Sequence, residues 1–194
     1  MLKPLTILFI VFVLISCNKS TVSLDTSNPT PSNNVPVIAS QLKFTGNGFA
    51  HNGIYPKIYT CDSTGVFPGL QWSNAPASTT NYVVTMHHYP PTYPTEDKHV
   101  YIVLYNIPST ISALPDNSKS IGTFGINTVD KKNAYTPPCS QGPGAKVYIL
   151  TLYALNAAPT ISVAAAQVTM DVVMAGIRNK IVDSAVMSVT YSRP

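Results

Sequence analysis

Between Leu42 and Tyr153 the apolar residues fall in short runs rich in Val, Ile, Thr and Tyr, broken by clusters of Gly, Pro, Asn and Asp. Such spacing predicts strands and turns. The clearest runs are NYVVTMHH (81–88), HVYIVLYNI (99–107) and KVYILTLYAL (146–155). The last two alternate poorly between apolar and polar, as expected of central strands covered on both faces in a packed sheet sandwich. One segment has a different period. TMDVVMAGIRNK (169–180) sets Met170, Val173, Met174 and Ile177 at helical spacing, with Thr169 placed to cap and Asp171 in the first turn. The methionine stripe reads as a core face. SAVMSVTYSR (184–193) follows as a final strand, so the class is mainly β with one late helix.

The start of the chain carries another pattern. One early lysine, an apolar run from Leu5 to Ile15 and a small residue before Cys17 read as a bacterial export signal. The run falls short of the roughly 20 apolar residues of a spanning helix. LISC resembles the lipobox of bacterial lipoproteins, which implies cleavage before Cys17 and a lipid on Cys17; the alternative is an ordinary secretory signal with an incidental cysteine. Acyl chains would hold the protein on a membrane by apolar burial alone. The following stretch is rich in Ser, Thr, Asn and Pro and has little to bury, so it reads as a tether. The expected organisation is a signal peptide at 1–16, a disordered tether at 17–41 and one globular domain at 42–194. The expected location is that of an exported bacterial lipoprotein, membrane-anchored on the periplasmic side or at the cell surface.

Composition narrows the picture further. A chain of 194 residues that is 45% hydrophobic buries one full core without help from a metal. Charged residues are only 10% of it, and the net charge of +4 forms no arginine-rich stripe, which argues against a nucleic-acid partner. After Cys17, the chain has Cys61 and Cys139. An oxidising compartment permits them to pair, but sequence carries no distance, so a disulfide and two separate buried thiols both stay open.

The candidate chemistry lies around three histidines. Successive strand residues point to opposite faces, so Val84, Met86 and His88 share one side and His87 takes the other. By the same rule His99, Tyr101, Val103 and Tyr105 share a face. A metal site needs three or four converging ligands. His87 and His88 diverge, leaving His88 and His99 with Glu96 or Asp97 as a third, so no metal and no cofactor is expected. A hydrolase would need a nucleophile such as Ser140 or Cys139 and a base such as His88 oriented by Asp62, yet no nucleophile elbow or paired-carboxylate pattern is present. Catalysis is therefore not expected. Asp62, in the YTCD turn, is expected to bond backbone, and Trp72 to lie in the core.

Several separated blocks carry a family resemblance: Tyr59-Thr60-Cys61-Asp62, Leu70 and Trp72, Ala75-Pro76-Ala77, Leu104-Tyr105-Asn106-Ile107-Pro108, Pro138-Cys139, and Leu152-Tyr153-Ala154-Leu155. In order and spacing they resemble the phosphatidylethanolamine-binding protein family, including the bacterial Raf-kinase-inhibitor-like proteins, over nearly all of residues 42–193. The resemblance implies a Greek-key-like β-sandwich on a large antiparallel sheet, with a small pocket that takes anionic groups such as phosphate. Members bind phospholipid head groups or act as inhibitors and scaffolds, and as a class they are not established enzymes.

The pocket motifs depart from the family's pattern. Where the family has Asp-Pro-Asp-Ala-Pro this chain has His88-Tyr89-Pro90-Pro91, with His88 at the first aspartate. Tyr101-Ile102 replaces His-Trp, and Lys146-Val147-Tyr148 replaces His-Arg-Tyr, while Pro138 and Cys139 keep their places. The resemblance thus implies a ligand set of His88, His99, Tyr101, Pro138, Lys146 and Tyr148, with His99 one pleat from Tyr101 supplying the imidazole that Tyr101 lacks. These exchanges make the pocket more positive. The expected function is non-catalytic binding of a small phosphate-like or carboxylate group, or of a phospholipid head group. The alternative is a kinase- or protease-inhibitor-like interaction protein with an idle pocket, where Tyr101 merely packs and Lys146 reaches solvent.

Overall fold

The computed structural model describes residues 40–193. The expected signal peptide, Cys17 and all of the tether except Ser40 and Gln41 lie outside the described residues. The strands are β1 (Lys43–Gly46), β2 (Gly53–Ile54), β3 (Leu70–Ser73), β4 (Asn81–His88), β5 (His99–Pro108), β6 (Ala113–Leu114), β7 (Thr123–Phe124), β8 (Lys146–Leu155) and β9 (Ile181–Tyr191), with one α-helix, α1 (Met170–Ile177), before the last strand. β4 and β8 coincide with the runs that the hydrophobic pattern marks.

Two sheets result. A six-stranded sheet runs in the order β2-β9-β8-β4-β5-β7, and a three-stranded sheet in the order β1-β3-β6. Every pairing is antiparallel except that of β2 with β9. The main core lies between the sheets, where Phe44, Leu70 and Trp72 meet Val84, Met86, Leu104, Leu150 and Leu152. Trp72 is buried there with its ring edge-on to Tyr82 at 5.2 Å, a core residue as its place in the sequence suggests.

A second, smaller core lies behind the large sheet, where Met170, Val173 and Ile177 of α1 pack with Val83, Val103 and Leu155. Thr169 caps the helix by accepting a hydrogen bond from the Val172 amide at 3.3 Å. Met174 is only half-buried, so three of the four stripe residues enter the core fully. The helix stops at Ile177, and the Lys180 amide donates to the Ile177 carbonyl at 2.8 Å as the chain turns into β9. Full cover on both faces holds for β5 and not for β8, whose back face leaves Val147 exposed and Ile149 and Tyr153 half-buried.

The pairing of β4 with β5 departs from regular alternation. Met86 lies opposite Ile102 and His87 opposite Val100, so Tyr101 is an extra residue, a β-bulge. Tyr101 and Ile102 both join the inter-sheet core, while Val100 and Val103 both face the helix. The expectation that His99, Tyr101, Val103 and Tyr105 share one face is therefore corrected. His99 and Tyr101 stay together at the site, and Val103 and Tyr105 belong to the other core.

The loop after β7 supplies the remaining wall of the site. Gly125 is required there, since a Cβ would lie 2.5 Å from the Val168 carbonyl oxygen and 2.8 Å from Cγ1 of Val103. Next comes Asn127, fully buried. Its Oδ1 accepts from the amides of Val129 and Asp130 at 2.9 Å each, and its Nδ2 donates to the carbonyls of Lys132 at 3.0 Å and Ala134 at 3.2 Å. One side chain thus satisfies the backbone of a whole turn, which keeps the following segment in place.

Candidate functional site

At one end of the large sheet β4 finishes, β5 begins and β8 begins. Their terminal residues converge on a cavity of about 610 Å3 lined by His88, His99, Tyr101, Lys146 and Tyr148. Pro90, Pro91, Thr92 and Glu96, from the loop between β4 and β5, form one rim, and Thr136, Pro137, Cys139, Ser140 and Gln141 form the opposite wall. Five of the six residues expected to bind ligand therefore come together. Pro138 stands outside the cavity wall: its neighbours line the cavity, and its carbonyl accepts the Cys61 amide at 3.2 Å.

His88 lies directly opposite His99 in the sheet, with ring centres 6.1 Å apart, and 5.5 Å from the ring of Tyr148. Its Nδ1 lies 2.8 Å from the Val147 carbonyl oxygen. A carbonyl only accepts, so Nδ1 carries the hydrogen and Nε2 is left for a ligand. Burial pushes the His88 pKa below the ordinary histidine value. The Val147 bond opposes that shift, and the positive charges of His99 and Lys146 add to it. The unliganded ring is neutral near pH 7.

His99 is held differently. Its Nε2 lies 2.7 Å from Oε1 of Glu96, whose Oε2 accepts from the Thr92 hydroxyl at 2.8 Å. The Thr92 bond, with His99 second, holds the Glu96 carboxyl below the usual range. A carboxylate thus sits at the cavity rim, bonded to the His99 imidazole. Among the described residues no three His, Cys, Asp or Glu side chains converge as a metal site.

Tyr101 and Tyr148 meet edge-on at 5.4 Å. Burial raises both phenol pKa values; for Tyr148, hydrogen bonds from Ser140 partly offset the rise. Both hydroxyls therefore keep their protons and can donate to an anion. Lys146 brings its ammonium to the cavity, where Nζ donates to the Pro143 carbonyl at 3.2 Å.

The opposite wall is tied down at several points. Cys61 and Cys139 form a disulfide with Cα atoms 5.2 Å apart, which settles the pairing left open by the sequence. The Thr136 amide donates to the Tyr101 carbonyl at 3.2 Å, and the Ser140 hydroxyl to the Tyr191 carbonyl at 3.2 Å. Ser140 has a φ of +30°, a left-handed backbone that costs a non-glycine residue about 1 kcal/mol or more. Asp62 does not bond backbone as expected. Its carboxylate accepts from the Tyr191 hydroxyl at 2.8 Å and Nε of Arg193 at 2.7 Å. It lies outside the cavity lining, and the Cys139 sulfur is occupied by the disulfide.

His87 takes the other face, as the strand period predicts. It is 7% exposed, stacks edge-on with Tyr89 at 4.9 Å, and its Nδ1 has no hydrogen-bond partner. Residue-by-residue reading of the sequence missed Thr92, Thr136 and Gln141, and weighed Glu96 only as a metal ligand. Thr92 and Glu96 lie in the loop between β4 and β5, where no period signals that their side chains meet His99.

Comparison with known proteins agrees with this architecture. The family model described as phosphatidylethanolamine-binding protein matches residues 45–192. A UPF0098 protein of Chlamydia pneumoniae is 26% identical over 156 residues, covering 78% of this chain and 99% of its own length. Another from Chlamydia trachomatis is 27% identical over 118 residues, covering 59% and 77%. Among solved structures, the phosphatidylethanolamine-binding protein homologue CT736 of Chlamydia trachomatis superposes with a TM-score of 0.72 at 22% identity, covering 80% of this chain and 100% of that one. YbcL of E. coli, described as a new member of the mammalian PEBP family, superposes with a TM-score of 0.69 at 19% identity and the same coverage. The structural likenesses carry the fold, and the family model spans the domain from β1 through β9: the chain belongs to the phosphatidylethanolamine-binding protein family.

Proposed function

We propose that this protein binds a small anionic group, phosphate-like or carboxylate, in the cavity at the end of the large sheet. The group is either free or the head group of a phospholipid, and the protein binds it without transforming it. The observation that carries the reading is the convergence of Lys146, two protonated phenols and His88, with Nδ1 pinned so that Nε2 is left for the ligand. Lys146 supplies a positive charge and the two phenols supply donors, while Nε2 of His88 accepts from a protonated ligand oxygen or, once the bound anion favours the protonated ring, donates to it. Such groups act most strongly where burial lowers the local dielectric. Glu96 opposes an anion, but its Oε1 is already taken up by Nε2 of His99 at the rim, 2.7 Å away. In the same reading Cys17 carries the lipid that holds the protein on a membrane, on the periplasmic side or at the cell surface.

Titration with orthophosphate, followed by the histidine resonances, tests the binding. A saturable response is expected, weakened roughly tenfold by Lys146→Ala and by His88→Ala, in line with loss of one charge-assisted hydrogen bond. An unresponsive parent, or variants that titrate like it, overturns the reading.

One observation favours a second reading, a protein-interaction or inhibitor role with an idle cavity. Tyr89 and Tyr93 are 43% and 50% exposed, yet pack edge-on with ring centres 4.6 Å apart in the loop between β4 and β5, where Tyr89 also meets His87 edge-on. Exposed, preorganised tyrosines are enriched at protein interfaces. This reading predicts partner binding that Tyr89→Ala weakens and His88→Ala leaves unchanged.

A further inference from the structure

Behind the wall that closes the anion cavity lies a second cavity of about 620 Å3. One segment serves both. Thr136, Pro137 and Ser140 face the first cavity, whereas Asn133, Ala134 and Tyr135 face the second. The two cavities share no lining residue.

The second cavity has an aromatic floor. Phe67 packs edge-on against Phe124 and against Tyr135, both at 5.7 Å. Tyr135 offers only its ring, because its hydroxyl is turned inward, sharing a hydrogen bond with the Tyr55 hydroxyl at 3.2 Å and donating to the Tyr59 carbonyl. The Asn133 amide is taken up by the carbonyls of Phe124 at 3.1 Å and Ala165 at 2.9 Å. Thr64 and Ser118 also line the slot, and the Thr64 hydroxyl is taken up by the Ile58 carbonyl at 3.3 Å.

The lip is different. Lys119 and Asn117 line the cavity and are exposed, and neither side chain has a hydrogen-bond or ion-pair partner among the described residues. The nearest acid in the chain, Asp116, does not neutralise Lys119. Its carboxylate accepts from the Tyr59 hydroxyl at 2.9 Å, the Gly69 amide at 2.7 Å and Nδ2 of Asn47 at 2.9 Å. An aromatic slot with an uncompensated ammonium and an amide donor at its lip selects by two terms at once. A bare anion gains nothing from the rings, and a neutral arene gains nothing from the charge. The volume and the combination of aromatic rings with a few free polar groups match a small-molecule site.

We propose that this second cavity binds a small aromatic carboxylate, with the ring against Phe67, Phe124 and Tyr135 and the carboxylate at Lys119 and Asn117. The site is independent of the anion-binding reading of the first cavity.

Benzoate titration of the intact protein, followed by the aromatic resonances, tests it. Saturable shifts are expected at Phe67, Phe124 and Tyr135. Affinity falls about five- to tenfold in Lys119→Ala and is largely kept in Lys119→Arg, the scale of one exposed charge contact. Acetate and benzyl alcohol, each lacking one of the two features, bind at least as many times more weakly than benzoate. His88→Ala leaves the benzoate response at Phe67, Phe124 and Tyr135 unchanged, whatever it does to carboxylate binding in the first cavity, which keeps the two sites separate. The proposal is overturned by the absence of saturable shifts at Phe67, Phe124 and Tyr135, by shifts confined to His88 and His99, by a Lys119→Ala variant whose second-cavity response matches the parent, or by acetate shifting Phe67, Phe124 and Tyr135 as readily as benzoate does.

Discussion

His87 and His88 are neighbours in the chain, and their surroundings give them opposite work. His87 is buried behind the sheet with Nδ1 unpartnered. Burial, with the charges of Lys98 and His88 second, lowers its pKa to about 4. The unfolded chain, with an ordinary histidine pKa of about 6.5, then binds more protons than the folded one between those values. Stability is therefore full above pH about 6.5 and declines as pH falls towards 4, by on the order of 3 kcal/mol in all. Urea unfolding across that range should show the decline, and His87→Phe should flatten it; equal slopes in parent and variant would refute the assignment. His88 has its pKa lowered too, but its partner in the bound state is an anion, which favours the protonated ring. Sulfate keeps one charge state across this range, so its affinity should rise as pH falls from about 7.5 to about 5.5. In His88→Gln that rise should shrink; calorimetry at several pH values decides it.

At the scale of elements, what could be read in advance depended on whether a strand shows two different faces. β4 was legible to the residue, and the opposition of His87 and His88 with it, because no bulge in that strand disturbs the alternation there. The bulge at Tyr101 was not legible. β5 is apolar on both faces from Val100 to Val103, and a one-residue slip in such a run exchanges one buried apolar side chain for another and leaves no mark in the pattern. The rim network of Thr92, Glu96 and His99 was hidden for another reason, since a loop has no period from which to infer which side chains meet. The helix was legible because its cap and its buried stripe agree. They also differ in weight. Thr169→Ala should cost about 1 kcal/mol through loss of the cap. Ile177→Ala removes a fully buried side chain and should cost about 3 kcal/mol. Asp171→Asn, which breaks an exposed ion pair with Lys98 at 2.9 Å, should cost under about 1 kcal/mol. Chemical denaturation should rank Ile177→Ala as the most costly, Thr169→Ala next and Asp171→Asn last, and a cap effect equal to the core effect would contradict it.

For the whole molecule, the disulfide joins the fold to the site. Cys61 follows the short 3-10 turn Lys57–Tyr59, and Cys139 sits 78 residues later in the cavity wall. No local pattern relates two positions so far apart, which is why the sequence could permit their pairing without establishing it. Closing a loop of that length restricts the unfolded chain by about 4 kcal/mol on the chain-entropy account. The bond also has a local consequence. Between Thr136 and Gln141 the wall lacks a strand partner, and it is held by the amide of Thr136, the hydroxyl of Ser140 and the disulfide, with Gly142 and Gly144 at positive φ just beyond. Arg193 adds a clamp, donating to Asp62 at 2.7 Å and to the Cys139 carbonyl at 3.5 Å. Replacing both cysteines by serine should therefore do two separable things. Unfolding free energy should fall by about 4 kcal/mol. Under conditions where the variant remains folded, phosphate affinity should fall as well, because a freed wall must be ordered on binding. Loss of stability with affinity unchanged would mean that the hydrogen bonds at Thr136, Pro138, residue 139 and Ser140 suffice to fix the wall, and the disulfide would then serve the fold alone.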